Sequence, residues 1–292
     1  MTEEKRYEIE HTKDALESIV LHDRTTKARV VLAPSRGGMA TRFTIDGEPV
    51  LYLDEATLRD PTKNVRGGIP VLFPIAGKLH DDTLTLDGRS FPMKQHGFAR
   101  NLPWKVEAES AGDDASVTLV LRDDDSTRAQ YPFSFAVSFT YRLRDGALRI
   151  EQRFENTGEV PMPIQPGVHP YFALPDERKR EARMFTDATR AWDNKAGQPV
   201  TIRGGIDLVG EEVDLHLLDH RPREARLHRP GMRNVTLRFG DDQKVLVVWT
   251  LRGRDFVCVE PWSRAANALN EGKGIVVAPH AAHTTLLLVT AI

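Results

Sequence analysis

At 292 residues the chain can bury a substantial core, as one large domain or two ordinary ones. Its 40 Lys and Arg nearly balance 42 Asp and Glu, for a formal net charge of -2, so there is no basic footprint for nucleic acid or anionic lipid and the expected partners are small molecules. The single cysteine, Cys258, excludes an internal disulfide, the opening MTEEKRYEIE lacks a signal peptide's apolar run, and stretches such as Val245 to Leu251 are only strand-long; a soluble, cytoplasmic protein is expected.

Taken in chain order, the elements are almost all strands. Ala28 to Leu32 and Thr41 to Ile45 come first, and Asp54 to Arg59 fits a short helix or a loop. Thr83 to Phe91 reads as a hairpin turning at Asp87-Gly88, and Ser116 to Leu121 as a further strand. The clearest signal is period-two alternation: Val137, Phe139, Tyr141 and Leu143 are apolar, with Ser138, Thr140 and Arg142 between them. Leu148, Ile150, Gln152 and Phe154 continue it against Arg149, Glu151, Arg153 and Glu155. Asp145-Gly146 joins the two runs, as a type I′ turn with positive φ at both central residues requires.

Asp176 to Arg183 is again a short helix or a loop. A third hairpin fits Val235 to Thr250, turning near Gly240-Asp241-Asp242, and Phe256 to Glu260 and Thr284 to Val289 complete the strands. Helical periodicity is nearly absent, and no repeat, low-complexity tract or linker divides the chain. The fold expected is all-β, a large antiparallel β-sandwich, with residues 1–292 forming a single domain.

Four segments carry reactive groups among the apolar strands. They are Val65-Arg66-Gly67-Gly68-Ile69-Pro70, Lys94-Gln95-His96-Gly97-Phe98-Ala99-Arg100, Pro166-Gly167-Val168-His169-Pro170-Tyr171-Phe172 and Phe256-Val257-Cys258-Val259-Glu260-Pro261-Trp262. Taken singly, His96 and His169 could satisfy local backbone groups, and Arg66 and Arg100 could be solvated. Glu260 is harder to dismiss, because a carboxylate ending an apolar strand is costly unless paired or used. Cys258 shares its strand face with Glu260, and a small buried hydrophobe suits it better than a nucleophile.

Together these segments resemble the aldose 1-epimerase (galactose mutarotase-like) family over about residues 20 to 290, most closely its hexose-6-phosphate mutarotase branch, in which Arg-Gly-Gly-Ile-Pro leads to Gln-His-Gly-X-Ala-Arg. The resemblance implies the family's large antiparallel sandwich, His169 as catalytic acid and Glu260 as catalytic base. It also implies that Arg66, Gln95 and Arg100 hold the sugar or its phosphate, that His96 faces the sugar, and that Asp214 binds sugar hydroxyls, with Asp219 as the alternative. The partner is then a small-molecule sugar or sugar phosphate, and no cofactor is expected.

The chemistry suits these residue types. Opening a pyranose needs a base for the anomeric hydroxyl proton and an acid for the ring oxygen, set on opposite sides of the reducing end. Rotation about C1–C2 and closure on the other face then invert the anomer and return both protons. Histidine titrates near neutrality and can hold a proton to give, whereas an ordinary carboxylate is ready to accept one. The planar fork of arginine matches phosphate.

Some pieces depart from this pattern. Where many family members have Pro-Gly-Glu before the last strand, this chain reads Ala278-Pro279-His280-Ala281-Ala282-His283, a turn with altered capping. His280 and His283 lack a third ligand nearby, so no metal site is expected there. His80-Asp81-Asp82 reads as a solvated turn, and the charged run Pro175 to Arg190 as either a solvated segment or the rim of the pocket. Two other functions stay open. One is a noncatalytic sugar sensor or carbohydrate-binding module; the other is glycoside cleavage, which usually needs a pair of carboxylates.

Overall fold

A computed structural model describes residues 5–13 and 16–292; residues 1–4, which begin the stretch read for a signal peptide, and residues 14 and 15 lie outside the described residues. The alternating run folds as its pattern requires. Phe135–Arg144 pairs antiparallel with Ala147–Asn156, placing Tyr141 opposite Ile150. Successive strand residues face opposite sides, and Val137, Phe139, Tyr141, Leu143, Leu148, Ile150 and Phe154 all point inward and are buried. Asp145 (φ 49°) and Gly146 (φ 70°) close the hairpin with the positive φ that a type I′ turn needs. Asp87 and Gly88, at 48° and 76°, do the same between Thr83–Leu86 and Arg89–Pro92.

These strands belong to an eight-stranded antiparallel sheet. Its order is Arg183–Phe185, Glu224–His228, Val235–Phe239, Ala282–Ala291, Ala147–Asn156, Phe135–Arg144, Ala115–Arg122, Lys105–Ala111. A second sheet runs Gln198–Thr201, Arg190–Asp193, Glu212–Leu217, Val245–Leu251, Phe256–Trp262, Gly167–Val168, Val71–Leu72, and Tyr171–Ala173 also pairs with Phe256–Trp262. Val213, Leu217, Val248, Val257 and Val259 from this sheet share one continuous core with Val117, Phe139, Ile150 and Val289 from the other, so the two form the layers of an antiparallel β-sandwich. A five-stranded meander from Tyr7–Lys13 to Glu48–Pro49 adds Leu21, Val30, Leu32 and Phe43 to the same core.

Phe73 anchors the second layer to the first. Its ring stacks on Phe154 at 5.7 Å and meets Phe135 edge-on at 5.0 Å. Burying such a side chain contributes about 1.5–3 kcal/mol, and here it fixes the chain between Arg66 and Gly77, which enters the site.

Three expectations need correction or refinement. Val235–Phe239 and Val245–Leu251 do not form a hairpin, because they lie in different sheets. The turn between them crosses layers: Asp242 accepts hydrogen bonds from Thr285 Oγ1 at 2.5 Å and Gln243 Nε2 at 2.8 Å and faces His283 Nε2 at 3.0 Å, which ties it to the Ala282–Ala291 strand. Helical structure at Asp176 stops after the single 3-10 turn Asp176–Arg178, and the chain enters the strand Arg183–Phe185. Glu55–Arg59 is an α-helix, started by Asp54, whose carboxylate accepts from Thr57 N. Among the described residues no helix is long and apolar enough to cross a membrane.

Candidate active site

The strand Phe256–Trp262 is buried on both faces. Val257 and Val259 point into the main core, while Phe256 and Cys258 pack with Tyr171 on the other side. Farther along that second face Glu260 and Trp262 line a cavity of about 360 Å³. That volume suits a small ligand, toward the lower end of the roughly 300–1,000 Å³ common for such sites.

Register brings the histidine to the glutamate. Gly167 pairs with Trp262 and Tyr171 with Cys258, so His169 falls opposite Glu260, where side chains on one face are neighbours. His169 Nε2 lies 3.3 Å from Glu260 Oε1, and Glu260 Oε2 accepts a 3.1 Å bond from Trp262 Nε1. Contrary to the expectation of opposite sides, the two groups stand side by side. The imidazole stacks on Tyr171 at 4.6 Å with the rings nearly parallel, and its Nδ1 has no hydrogen-bond partner among the described residues.

Burial opposes charge on both groups. It drives the His169 imidazole down to about 3, with the nearby Arg100 guanidinium adding to the effect. Burial, reinforced by the Asp214 carboxylate, raises Glu260 well above the usual carboxylate range. The directions order the two groups: when the pair holds one proton, that proton sits on Glu260 rather than on His169.

His96 comes from a turn that only glycine can complete. Gly97 has φ 67°, and a Cβ there would stand 2.2 Å from the Phe73 carbonyl oxygen. His96 itself takes φ 67°. Its Nδ1 accepts from Gly77 N at 3.0 Å, which by assignment puts the ring hydrogen of the neutral form on Nε2. Burial, aided by Arg100, lowers His96 well below its ordinary pKa, so this ring is a neutral donor.

Arg100 donates Nη2–H to the Gln95 carbonyl at 3.0 Å, and its buried Nε has no partner among the described residues. Arg66 is exposed at the mouth, its guanidinium 5.9 Å from the centre of the Trp249 ring. Gly68 sets that segment, with φ 65° and a Cβ position only 2.3 Å from the Ala40 carbonyl oxygen. Arg66, Gln95, His96, Arg100, His169, Asp214 and Glu260 thus all line one cavity.

Asp214 is the aspartate of this cavity. It accepts from Asn194 Nδ2 at 2.8 Å and faces His216 Nε2 at 3.3 Å. Burial alone would raise its carboxyl, but the interactions with His216 and Asn194 outweigh that and hold it below the usual range. Asp219 instead clamps a turn, accepting from Thr189 N and Oγ1 and from Arg190 N.

Sequence reasoning missed His216, Asn194, Glu212 and Trp249, all of which line the cavity. Glu212, Asp214 and His216 alternate on one strand face, a period-two signal present in the sequence, and Asp214 pairs with Trp249 across the sheet. The charged run Pro175 to Arg190 contributes none of the lining residues; its Lys179 is buried, bonded to the Leu251 and Arg254 carbonyls at 2.6 Å each. His280 and His283 face different carboxylates, Glu159 and Asp242. His80 and Asp81 pair in an exposed 3-10 turn.

Comparison with known proteins agrees with this arrangement. A family model described as aldose 1-epimerase matches residues 17–288, and the chain belongs to that family. The Slr1438 protein of Synechocystis sp. PCC 6803, a solved structure, is 37% identical with a TM-score of 0.92, the match covering 98% of this chain and 99% of that one. A Cenchrus ciliaris protein named "Putative glucose-6-phosphate 1-epimerase" is 26% identical over 279 residues, 90% of this chain and 76% of its own. A galactose mutarotase-like protein of Clostridium acetobutylicum shares the fold, with a TM-score of 0.83 at 16% identity and coverage of 98% and 99%.

Proposed function

We propose that this member of the aldose 1-epimerase family interconverts the α and β anomers of a hexose 6-phosphate or the corresponding free aldose. The contact between His169 Nε2 and Glu260 Oε1 at 3.3 Å carries the reading. The anomeric hydroxyl and the ring oxygen are bonded to the same carbon, so an acid and a base standing side by side reach both.

As a sugar enters, its hydroxyls solvate charges that burial disfavours, and the shared proton passes from Glu260 to His169. His169 then protonates the ring oxygen while Glu260 takes the anomeric hydroxyl proton, and the ring opens to the aldehyde. Rotation about C1–C2 and closure on the other face reverse both transfers, so the pair again holds one proton. Asp214 accepts from sugar hydroxyls and the neutral His96 donates to one.

Arg66 and Arg100 favour a phosphorylated substrate, since charge-assisted bonds to phosphate are stronger than those to hydroxyls. Optical rotation of freshly dissolved α-glucose 6-phosphate and α-glucose tests the reading. Faster relaxation than in buffer, and faster with the phosphate, supports it; relaxation at the buffer rate for both sugars overturns it.

A further inference from the structure

Cys258 has no part in that chemistry, yet it shares a strand face with Glu260. One ligating atom each from His169, Cys258 and Glu260 lies within 4.8 Å of the other two, and all three residues are buried. A mixed nitrogen, sulfur and oxygen set suits zinc and its close relatives, whereas magnesium and calcium want oxygen alone. The His169 to Glu260 separation of 3.3 Å is already close to that of two ligand atoms on a tetrahedral ion, given metal bonds of about 2.0–2.2 Å to nitrogen and oxygen. His169 is only 7% exposed and stacks on Tyr171, and its Nδ1 has no hydrogen-bond partner among the described residues.

We propose that His169, Cys258 and Glu260 form a binding site for a thiophilic divalent cation of the zinc type, which inhibits anomer exchange by occupying the acid and base. The inference rests on the reading of that pair as the reacting groups. The ion takes a thiolate, a carboxylate and a neutral imidazole, so the thiol proton and the proton shared by the pair leave to solvent as it binds. Solvent from the cavity fills the fourth position.

The test titrates Zn²⁺ alone against anomer exchange of glucose 6-phosphate and, separately, follows Co²⁺ alone by absorption. Cys258 is the sole cysteine of the chain, so a thiolate-to-cobalt charge-transfer band reports on this site and no other. The expected result is inhibition competitive with the sugar and reversed by EDTA, together with the cobalt band. Cys258→Ala keeps the exchange rate, loses the band and needs at least about tenfold more Zn²⁺ for half inhibition. Cys258→Val makes the same comparison should alanine pack poorly.

Absence of the cobalt band from the wild type overturns the site, as does equal Zn²⁺ inhibition of wild type and Cys258 variants. A wild type that gives the band but exchanges no sugar supports the metal site and overturns the sugar reading instead.

Discussion

His169 and Glu260 touch across adjacent strands at 3.3 Å, both hidden from solvent, and burial pushes the histidine down and the glutamate up. Groups coupled this closely titrate as a pair. The one-proton state that the proposed anomer exchange needs persists from the histidine's pKa of about 3 to the raised pKa of Glu260.

The pH profile of kcat/KM follows from that coupling. Independent groups with ordinary values would lose the histidine proton, and with it activity, as pH rises through about 6.5. The coupled pair gives up its last proton at the raised pKa of Glu260 instead, so kcat/KM should fall on that titration and not on the ordinary histidine one. A descending limb centred near the ordinary histidine value would contradict the pairing.

Stability carries the same signature with opposite signs for the two residues. Because its folded pKa is raised, Glu260 costs the fold nothing below its ordinary value of 4.5 and costs progressively more as pH rises through the window up to the folded pKa. Glu260→Gln should therefore melt a few degrees above wild type at neutral pH, the gap closing on acidification. His169, held at about 3 against an ordinary 6.5, makes the native state lose stability as pH falls through that interval, and His169→Asn should lose less there. Calorimetry across the pH range checks both, and identical Tm curves for wild type and variants would sink the assignment.

Much of this was legible in the sequence, because the alternation at 137 to 154 and the Asp-Gly turns are local rules that tertiary contacts did not override. The reactive segments could likewise be read from residue type. The sequence did not reveal which strands pair: the Gly240-Asp241-Asp242 turn looks like a hairpin until Asp242 is seen bonded to Thr285. The side-by-side histidine and glutamate come from the same source, since only the register Gly167 to Trp262 and Tyr171 to Cys258 sets residue 169 against 260. His216 escaped notice because its partner Asp214 lay in a segment with no flanking motif.

Asp214 and Asp219 separate cleanly. Removing an acceptor and leaving its donors unsatisfied costs about 1–3 kcal/mol, so Asp214→Ala, at a half-buried carboxylate of the cavity, should lower kcat/KM by about tenfold or more, chiefly through KM. Asp219→Ala should leave kinetics unchanged and lower Tm, because it clamps Thr189 and Arg190. Equal kinetic loss in both variants would remove Asp214 from the sugar site.

Arg66 stands exposed at the mouth of the cavity, over Trp249. Hydrogen bonds to charged groups contribute about 1.5–3 kcal/mol, so Arg66→Ala should raise KM for glucose 6-phosphate at least about tenfold and for glucose far less. A uniform rise for both sugars would assign Arg66 to the hexose rather than its phosphate.

Gly97→Ala probes the turn that carries His96. A side chain at φ 67°, with its Cβ 2.2 Å from the Phe73 carbonyl oxygen, should cost more than about 2 kcal/mol in denaturant unfolding. Unchanged stability would mean that the turn is not held as described.

Two-dimensional exchange NMR on the anomers of glucose 6-phosphate, with wild type, His169→Asn and Glu260→Gln all checked for native folding, tests whether this pair exchanges the anomers. Exchange above the buffer rate is expected for wild type, with a loss of about 10²–10⁴-fold in each variant, the range for a single general acid or base. Exchange that survives both substitutions, or is absent from the wild type, would contradict that role and leave the cavity as a carbohydrate-binding site without this chemistry.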